Sequence, residues 1–398
     1  MLFPSWVSFI IALIIIMALS KTELAYSLSL GALVFALLVE VPLGESLAIV
    51  LLDINYLLLA AIVFIIPLLG GVMNESNMMK ELIDNLGISK KSGMMLSPAL
   101  YGLLPVAGGA ILSMPMVDQI EPDPTFPKGQ KVAINVWYRH IFILVYPLAS
   151  TLLICSQLTG LSLYAEVAIL MIPFTIMLIT GYVFLIRPVT NSKSLHARNL
   201  KIVLHHLIPL LIAPIFDLIG RSFFGGVYPD LYLLLGLVVS LGVAMIFGKK
   251  SMRNVLTIGK KMQVWKFPLL ILAIFWFQTV FVMSSVPTEI SALAISFPLF
   301  LGVGFFLGFA TGRAALPCTI LIPVYLLQYG TTTMGLIPFA LLYFAIFLGY
   351  IITPIHPCVS YSIKAMNSTY KDAMRYFTMP TLVSALITLI FALFFVGI

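Results

Sequence analysis

Charge is what this sequence has least of: Asp, Glu, Lys and Arg together make up 9% of its 398 residues, and 61% are hydrophobic. A soluble globular chain is about one quarter charged, so an ordinary soluble domain is excluded. Cysteine is also scarce. Cys155, Cys318 and Cys358 lie in apolar surroundings with no CxxC pair, which argues for neither a disulfide scaffold nor a metal site. Acidic residues are missing from the most irregular apolar stretches; Glu40, Glu166, Asp217 and Glu289 fall at the ends of apolar runs. A Na⁺/H⁺ antiporter or proton pump usually needs a carboxylate in its path. The net charge of +7 is explained by topology rather than by a nucleic-acid partner.

What is present is a series of apolar runs, each long enough to cross about 30 Å of hydrocarbon. The run at 2–19 has no basic residue before it and no small-residue cleavage site after it, so it reads as a retained span rather than a secretory signal. Further spans are expected at 25–43 and 54–73, then a broken hairpin at 92–118, a long interrupted segment at 130–157 and a span at 162–186. The series then repeats: 202–219, 229–247, 265–286, a hairpin at 289–327, an interrupted segment at 334–363 and a last span at 377–397. Gly102 to Pro147 is 45 residues and Gly308 to Pro354 is 46.

With both termini outside, the loops at 20–24, 74–91, 119–131, 187–201, 248–266 and 364–376 are cytoplasmic. They hold nineteen of the 22 Lys and Arg residues, as the positive-inside rule requires. The expected fold is therefore an all-α polytopic membrane protein of two inverted six-element repeats, each with a re-entrant hairpin and an interrupted helix. Secondary transporters are built this way, with discontinuous helices meeting near the midplane. The repeats divide into scaffold halves at 1–88 and 202–287 and transport halves at 89–190 and 288–398, with a basic linker at 191–201.

Three basic residues fall outside the cytoplasmic loops. Arg221 is next to Asp217 and Asp230 in an outer loop, where solvation accounts for it. Arg139 and Arg313 lie in the repeated broken segments, where a lone cation normally faces a cavity or a partner; the bland alternative is that each snorkels to a surface. As a fixed charge with a bidentate fork, arginine suits a carboxylate or phosphate. Hairpin breaks at Pro105, Val106, Ala107, Gly108 and Gly109, and at Thr311, Gly312 and Arg313, would add free N–H groups and close backbone approach. Asn135, Tyr138 and Arg139 are spaced i, i+3 and i+4 and should share a helix face, with His140 at its edge. Ser150, Thr353 and Ser360 beside Pro147, Pro354 and Pro357 could coordinate a Na⁺ ion, and His140 and His356 are candidates for a proton carrier or a core hydrogen bond.

At LLPVAGGAILSMP followed by NVWYRH and YP, nearly the whole chain resembles an uncharacterised prokaryotic membrane family, domain of unknown function four hundred and one. That family is grouped by resemblance with the ion transporter superfamily, beside gluconate, citrate and dicarboxylate permeases. The resemblance implies an elevator mechanism, in which hairpins and broken helices move as a block against a scaffold that dimerises. Members often carry an acid three residues after the Arg-His pair; here that position is Ile143.

The expected function is ion-coupled transport of a small organic anion across the cytoplasmic membrane, with Na⁺ or H⁺ as coupling ion, no other cofactor and no nucleic-acid partner. The rival readings are a cation/proton antiporter of the same fold and an intramembrane enzyme using Ser360 and His356. The latter pair has neither an orienting acid nor an oxyanion motif.

Overall fold

The computed structural model describes residues 4–19, 23–103, 109–192 and 197–395, and these form helices with no strand among them. The first half contains α1 (Ser5–Leu19), α2 (Leu24–Leu38), α3 (Leu43–Leu52), α4 (Ile54–Glu75) and α5 (Met78–Asp84). It continues with α6 (Lys90–Gly102), α7 (Gly109–Ile120), α8 (Lys128–Ile141), α9 (Ser150–Thr159) and α10 (Leu163–Gly181). The second half contains α11 (Leu200–Phe223), α12 (Asp230–Phe247), α13 (Met252–Met262), α14 (Lys266–Met283) and α15 (Val286–Ser291). It ends with α16 (Phe297–Thr311), α17 (Ala315–Gln328), α18 (Leu336–Ile352), α19 (Pro357–Met366) and α20 (Tyr370–Phe395).

Among the described residues, seven stretches are long and apolar enough to cross a membrane: Ile54–Glu75, Leu163–Ile186, Leu200–Phe223, Asp230–Phe247, Lys266–Met283, Leu336–Met366 and Tyr370–Phe395. Polar caps set several boundaries. Asp53 accepts the Asn55 N–H at 2.8 Å where α4 begins, and Ser162 accepts the Ala165 N–H at 3.3 Å before α10, each satisfying a donor that the first turn leaves free. Two of the short helices outside the expected series are α3 and α13. The second lies within the basic loop 248–266: Val255, Ile258 and Gly259 form a buried stripe against α4 while the lysines face out, a spacing that a plain count of charge conceals.

Several apolar segments are too short to span. At about 1.5 Å per residue, the 13-residue α6 and 15-residue α16 cover only about 20 Å. Each is followed by a helix that packs back against it, α7 on α6 and α17 on α16. The outer ends of α6 and α7 are joined by an ion pair, Lys90 to Glu121 at 2.7 Å, and those of α16 and α17 by Gln328 Nε2 donating to the Ile295 carbonyl at 2.8 Å. The α8–α9 segment is interrupted by a 3₁₀ turn at Phe142–Leu144 and by Pro147, and the α18–α19 segment by Thr353–His356, which contains Pro354 and is followed by Pro357. Proline lacks the N–H that would continue each helix.

Helices α8 and α18 form the centre. Every residue from Gly129 to Ile141 is buried, and the α18–α19 stretch is 78% buried where the lipid-length helices α11, α12 and α20 are 28–33% buried. The first helix of each hairpin packs on the leading half of an interrupted helix, α6 on α8 and α16 on α18. Glycine permits both approaches: a Cβ at Gly102 would strike the Arg139 carbonyl oxygen, and one at Gly308 the Ile346 carbonyl oxygen. The returning helices cross over, α7 packing on α19 and α17 on α9. Outside this centre α1 packs on α2, α11 on α12, α2 on α14, α12 on α4, and α4 on α14.

The six basic loops meet at one end of the molecule. Glu23 pairs with Lys266 at 2.5 Å, Glu75 with Lys261 at 3.2 Å, the Lys90 N–H donates to the Ser192 carbonyl at 3.1 Å, and Gly129 packs on the Asp372 backbone. At the opposite end the Met334 N–H donates to the Thr159 carbonyl at 2.8 Å, and Arg221 holds Asp217 at 2.8 Å and Asp230 at 2.5 Å. Asp217 and Asp230 are both buried, so ion pairing, not solvation, accounts for Arg221.

Candidate functional site

The site is built where the two interruptions meet. Residues His140 and His356 end α8 and precede α19, and their Nε2 atoms lie 2.9 Å apart. His140 Nδ1 is 2.6 Å from the Val136 carbonyl, an oxygen that can only accept. In the neutral pair the His140 proton is therefore on Nδ1, its Nε2 presents a lone pair, and His356 Nε2–H donates to it. His356 Nδ1 is buried and makes no hydrogen bond of standard geometry among the described residues, with the Gly312 backbone beside the ring. Tyr350 packs edge-on against both imidazoles, with centroids 5.6 Å from His140 and 4.4 Å from His356.

Arg139 is 4% exposed, with Nη1 unpartnered among the described residues, and its guanidinium lies beside the Cys358 thiol. It does not snorkel. Arg313 stands at the tip between α16 and α17, exposed into a cavity of about 260 Å³. Both guanidinium groups act on Tyr350, His356 and Cys358, and neither has an ion-pair partner among the described residues. One buried and one exposed cation thus stand at the same cavity wall with no carboxylate paired to either among the described residues.

The tip of the second hairpin is a tight structure. Gly312 has φ +63°, and a Cβ there would come within 3.2 Å of Ile355 and 3.3 Å of the His356 nitrogen, so the tip seats directly on the α18–α19 interruption. The Thr311 hydroxyl is used locally, donating to the Leu307 carbonyl at 2.7 Å and accepting from the Arg313 N–H at 3.3 Å. In the first hairpin, Gly109 begins α7, while Pro105, Val106, Ala107 and Gly108 lie outside the described residues.

The expected face of α8 divides. Asn135 and Arg139 point to α19, where Asn135 Nδ2 donates to Ser362 Oγ at 2.8 Å and leaves its buried Oδ1 unpartnered. Tyr138 turns instead to α10: Gly181 leaves room there for its hydroxyl and for Trp137, whose indole N–H reaches the Met177 carbonyl at 3.0 Å. A helix buried all round has no single functional face. Of the hydroxyls read as ion ligands, Ser360 Oγ donates to the Pro354 carbonyl at 2.8 Å and Thr353 Oγ1 accepts from the Ile355 N–H at 3.4 Å. Ser150, at the start of α9, lines the cavity with Arg313, His356 and Cys358.

Sequence reasoning passed over Cys358 and Glu166. The thiol follows His356 by two residues, a His-x-Cys spacing that is informative only once His140 is known to face it. Glu166 is at the start of a span but is fully buried, with Oε1 accepting from Thr159 Oγ1 at 2.8 Å and Oε2 unpartnered among the described residues. Helix α9 stops at Thr159 and folds this span end inward.

The cavity's other wall is Leu24 and Leu28 in the first two turns of α2 and Leu270 and Ile274 in the first half of α14, two helices that start at the basic-loop end. Together these features define a helical membrane protein with a cationic, histidine-containing pocket between its broken helices and two of its continuous ones. The family model described as protein of unknown function (DUF401) matches residues 4–396, and the chain belongs to that family. A search of curated proteins finds no match to it.

Proposed function

We propose that this protein is a secondary active transporter of a small organic anion of the carboxylate type, coupled to Na⁺ or H⁺. The observation that carries this reading is the pair Arg139 and Arg313, one buried beside Cys358 and one exposed into the cavity that Cys358 lines, with no ion-pair partner for either among the described residues. Such charge inside a bilayer is costly unless a counter-charge arrives, and guanidinium forks match carboxylate geometry. The cavity in front of Arg313 supplies the place.

The packing pattern supports two repeats and a moving block. Exchanging each of α1–α10 with the helix ten places later maps α6 on α8 to α16 on α18, α7 on α19 to α17 on α9, and α2 on α14 to α12 on α4. Because the two hairpins are closed at opposite ends of the molecule, the repeats are read as inverted. In the elevator reading α6–α10 and α16–α20 carry the site past a scaffold of α1–α4 and α11–α14, which also forms a homodimer. The basic-loop end is then cytoplasmic, both termini are outside, and the cavity position near the starts of α2 and α14 corresponds to an inward-facing state.

A panel of small carboxylates, with and without Na⁺, tests the binding step. A ligand of the folded state raises apparent thermal stability, and the expected hit loses its effect in Arg313→Ala. A second reading, cation/proton antiport, is favoured by the direct His140–His356 contact and the buried Glu166. A pH-dependent Na⁺ flux with no organic anion present would select it.

A further inference from the structure

One ring nitrogen each of His140 and His356 and the Cys358 Sγ lie within 4.8 Å of one another, with the two Nε2 atoms in direct contact, on two helices that also hold each other through Asn135 and Ser362. We propose that these three atoms form a binding site for a soft, thiophilic cation of the Zn²⁺ or Cu⁺ class. It stands independently of the anion reading, since it rests on ligand geometry and is read out without transport.

Bond lengths of about 2.0–2.1 Å to nitrogen and 2.3 Å to sulfur place donors on a tetrahedral zinc about 3.3–3.7 Å apart. The two Nε2 atoms, at 2.9 Å, need to separate by only a few tenths of an ångström. A metal-ligating histidine ordinarily donates its other ring N–H to a carbonyl or carboxylate, which fixes the tautomer. His140 already does so through Nδ1 and the Val136 carbonyl, so its Nε2 lone pair is aimed at the proposed ion. His356 Nδ1 makes no hydrogen bond of standard geometry among the described residues, and in the metal-bound form the ring proton sits there instead of on Nε2. Cys358 loses its thiol proton to the cavity water, so one cation enters, one proton leaves, and no electron moves.

The donor set also says what does not bind. Na⁺, Mg²⁺ and Ca²⁺ require oxygen ligands, and these three side chains offer only nitrogen and sulfur; a site rich in thiolate and imidazole selects Cu⁺ or Zn²⁺. Arg139 and Arg313 both face the site. Their charge opposes a divalent ion more than a monovalent one. Cys358 is half-buried and lines the cavity with His356, which gives the ion an entry path.

The test uses the full chain in detergent or nanodiscs, stripped with a chelator. Co²⁺ stands in for Zn²⁺ and is followed by its thiolate-to-metal charge-transfer absorption, and Cu⁺ is followed by competition with bicinchoninate. The expected result is one equivalent of at least one of these cations per chain, weakened about 10- to 100-fold or more in Cys358→Ser, His356→Gln and His140→Gln. A second measurement needs no variant: Zn²⁺ or Cu⁺ should protect Cys358 of the wild-type protein from alkylation, and Na⁺ and Mg²⁺ should not. If neither cation binds stoichiometrically or protects Cys358, or if binding is unchanged in both Cys358→Ser and His356→Gln, the site does not exist.

Discussion

The two arginines differ in exposure, and that difference assigns them different tasks. Arg313 faces the cavity directly, while Arg139 stands behind Cys358 and His356. A charge-assisted hydrogen bond contributes about 1.5–3 kcal/mol, so Arg313→Ala should raise the apparent KM for the transported anion by about 10- to 150-fold. Arg313→Lys should recover part of the loss, because it keeps the charge and gives up the bidentate fork. Gly312 is a separate matter of backbone. At φ +63°, Gly312→Ala should cost roughly 1–2 kcal/mol for the left-handed conformation alone, and more if Ile355 cannot move. Thermal unfolding checks this, and an unchanged midpoint would show that the tip adopts another conformation.

At the scale of helices, the hairpins depend on how their ends are tied. Glu121 is almost fully buried and its carboxylate meets Lys90 at 2.7 Å. Removing one partner of a buried pair leaves an uncompensated charge and costs about 3–5 kcal/mol. Lys90→Ala should therefore lower thermal stability markedly, and adding Glu121→Gln should restore much of it. The Arg221 cluster predicts the same for the far end: Arg221→Ala leaves Asp217 and Asp230 facing each other, and only a substitution that also neutralises one of them should recover the fold. How the hairpins meet the interrupted helices was only partly legible in the sequence. Pro147, Pro354 and Pro357 fall at the interruptions, where proline removes a helix hydrogen bond, but Pro67, Pro173, Pro209, Pro214 and Pro380 lie inside continuous helices, so proline alone did not locate them. The i, i+3, i+4 spacing of Asn135, Tyr138 and Arg139 misdirected Tyr138, since periodicity reports a buried face only when another face is exposed. The His140–Cys358 proximity was illegible for a different reason: it joins residues from opposite halves of the chain, and nothing local to either encodes it.

Across the whole molecule, the basic loops were readable from charge alone, and the contacts among Glu23, Lys266, Glu75, Lys261, Lys90 and Ser192 gather them at one end. Charge said nothing about where the site stands relative to the scaffold. The cavity wall of Leu28 on α2 and Ala315 on α17 does, and it makes the proposed motion testable. A cysteine pair at Leu28 and Ala315, joined through disulfides by a short bis-methanethiosulfonate, should stop uptake and recover it on reduction; a cross-linked protein with full activity would remove relative movement of the two parts. The most direct test is uptake itself. Wild-type protein in proteoliposomes, given a Na⁺ or proton gradient, should accumulate a labelled small carboxylate against its own gradient, and Arg139→Ala and Arg313→Ala should each lose that accumulation while remaining folded. Uptake that persists unchanged in both variants, or a cation flux that needs no organic anion, would contradict the account.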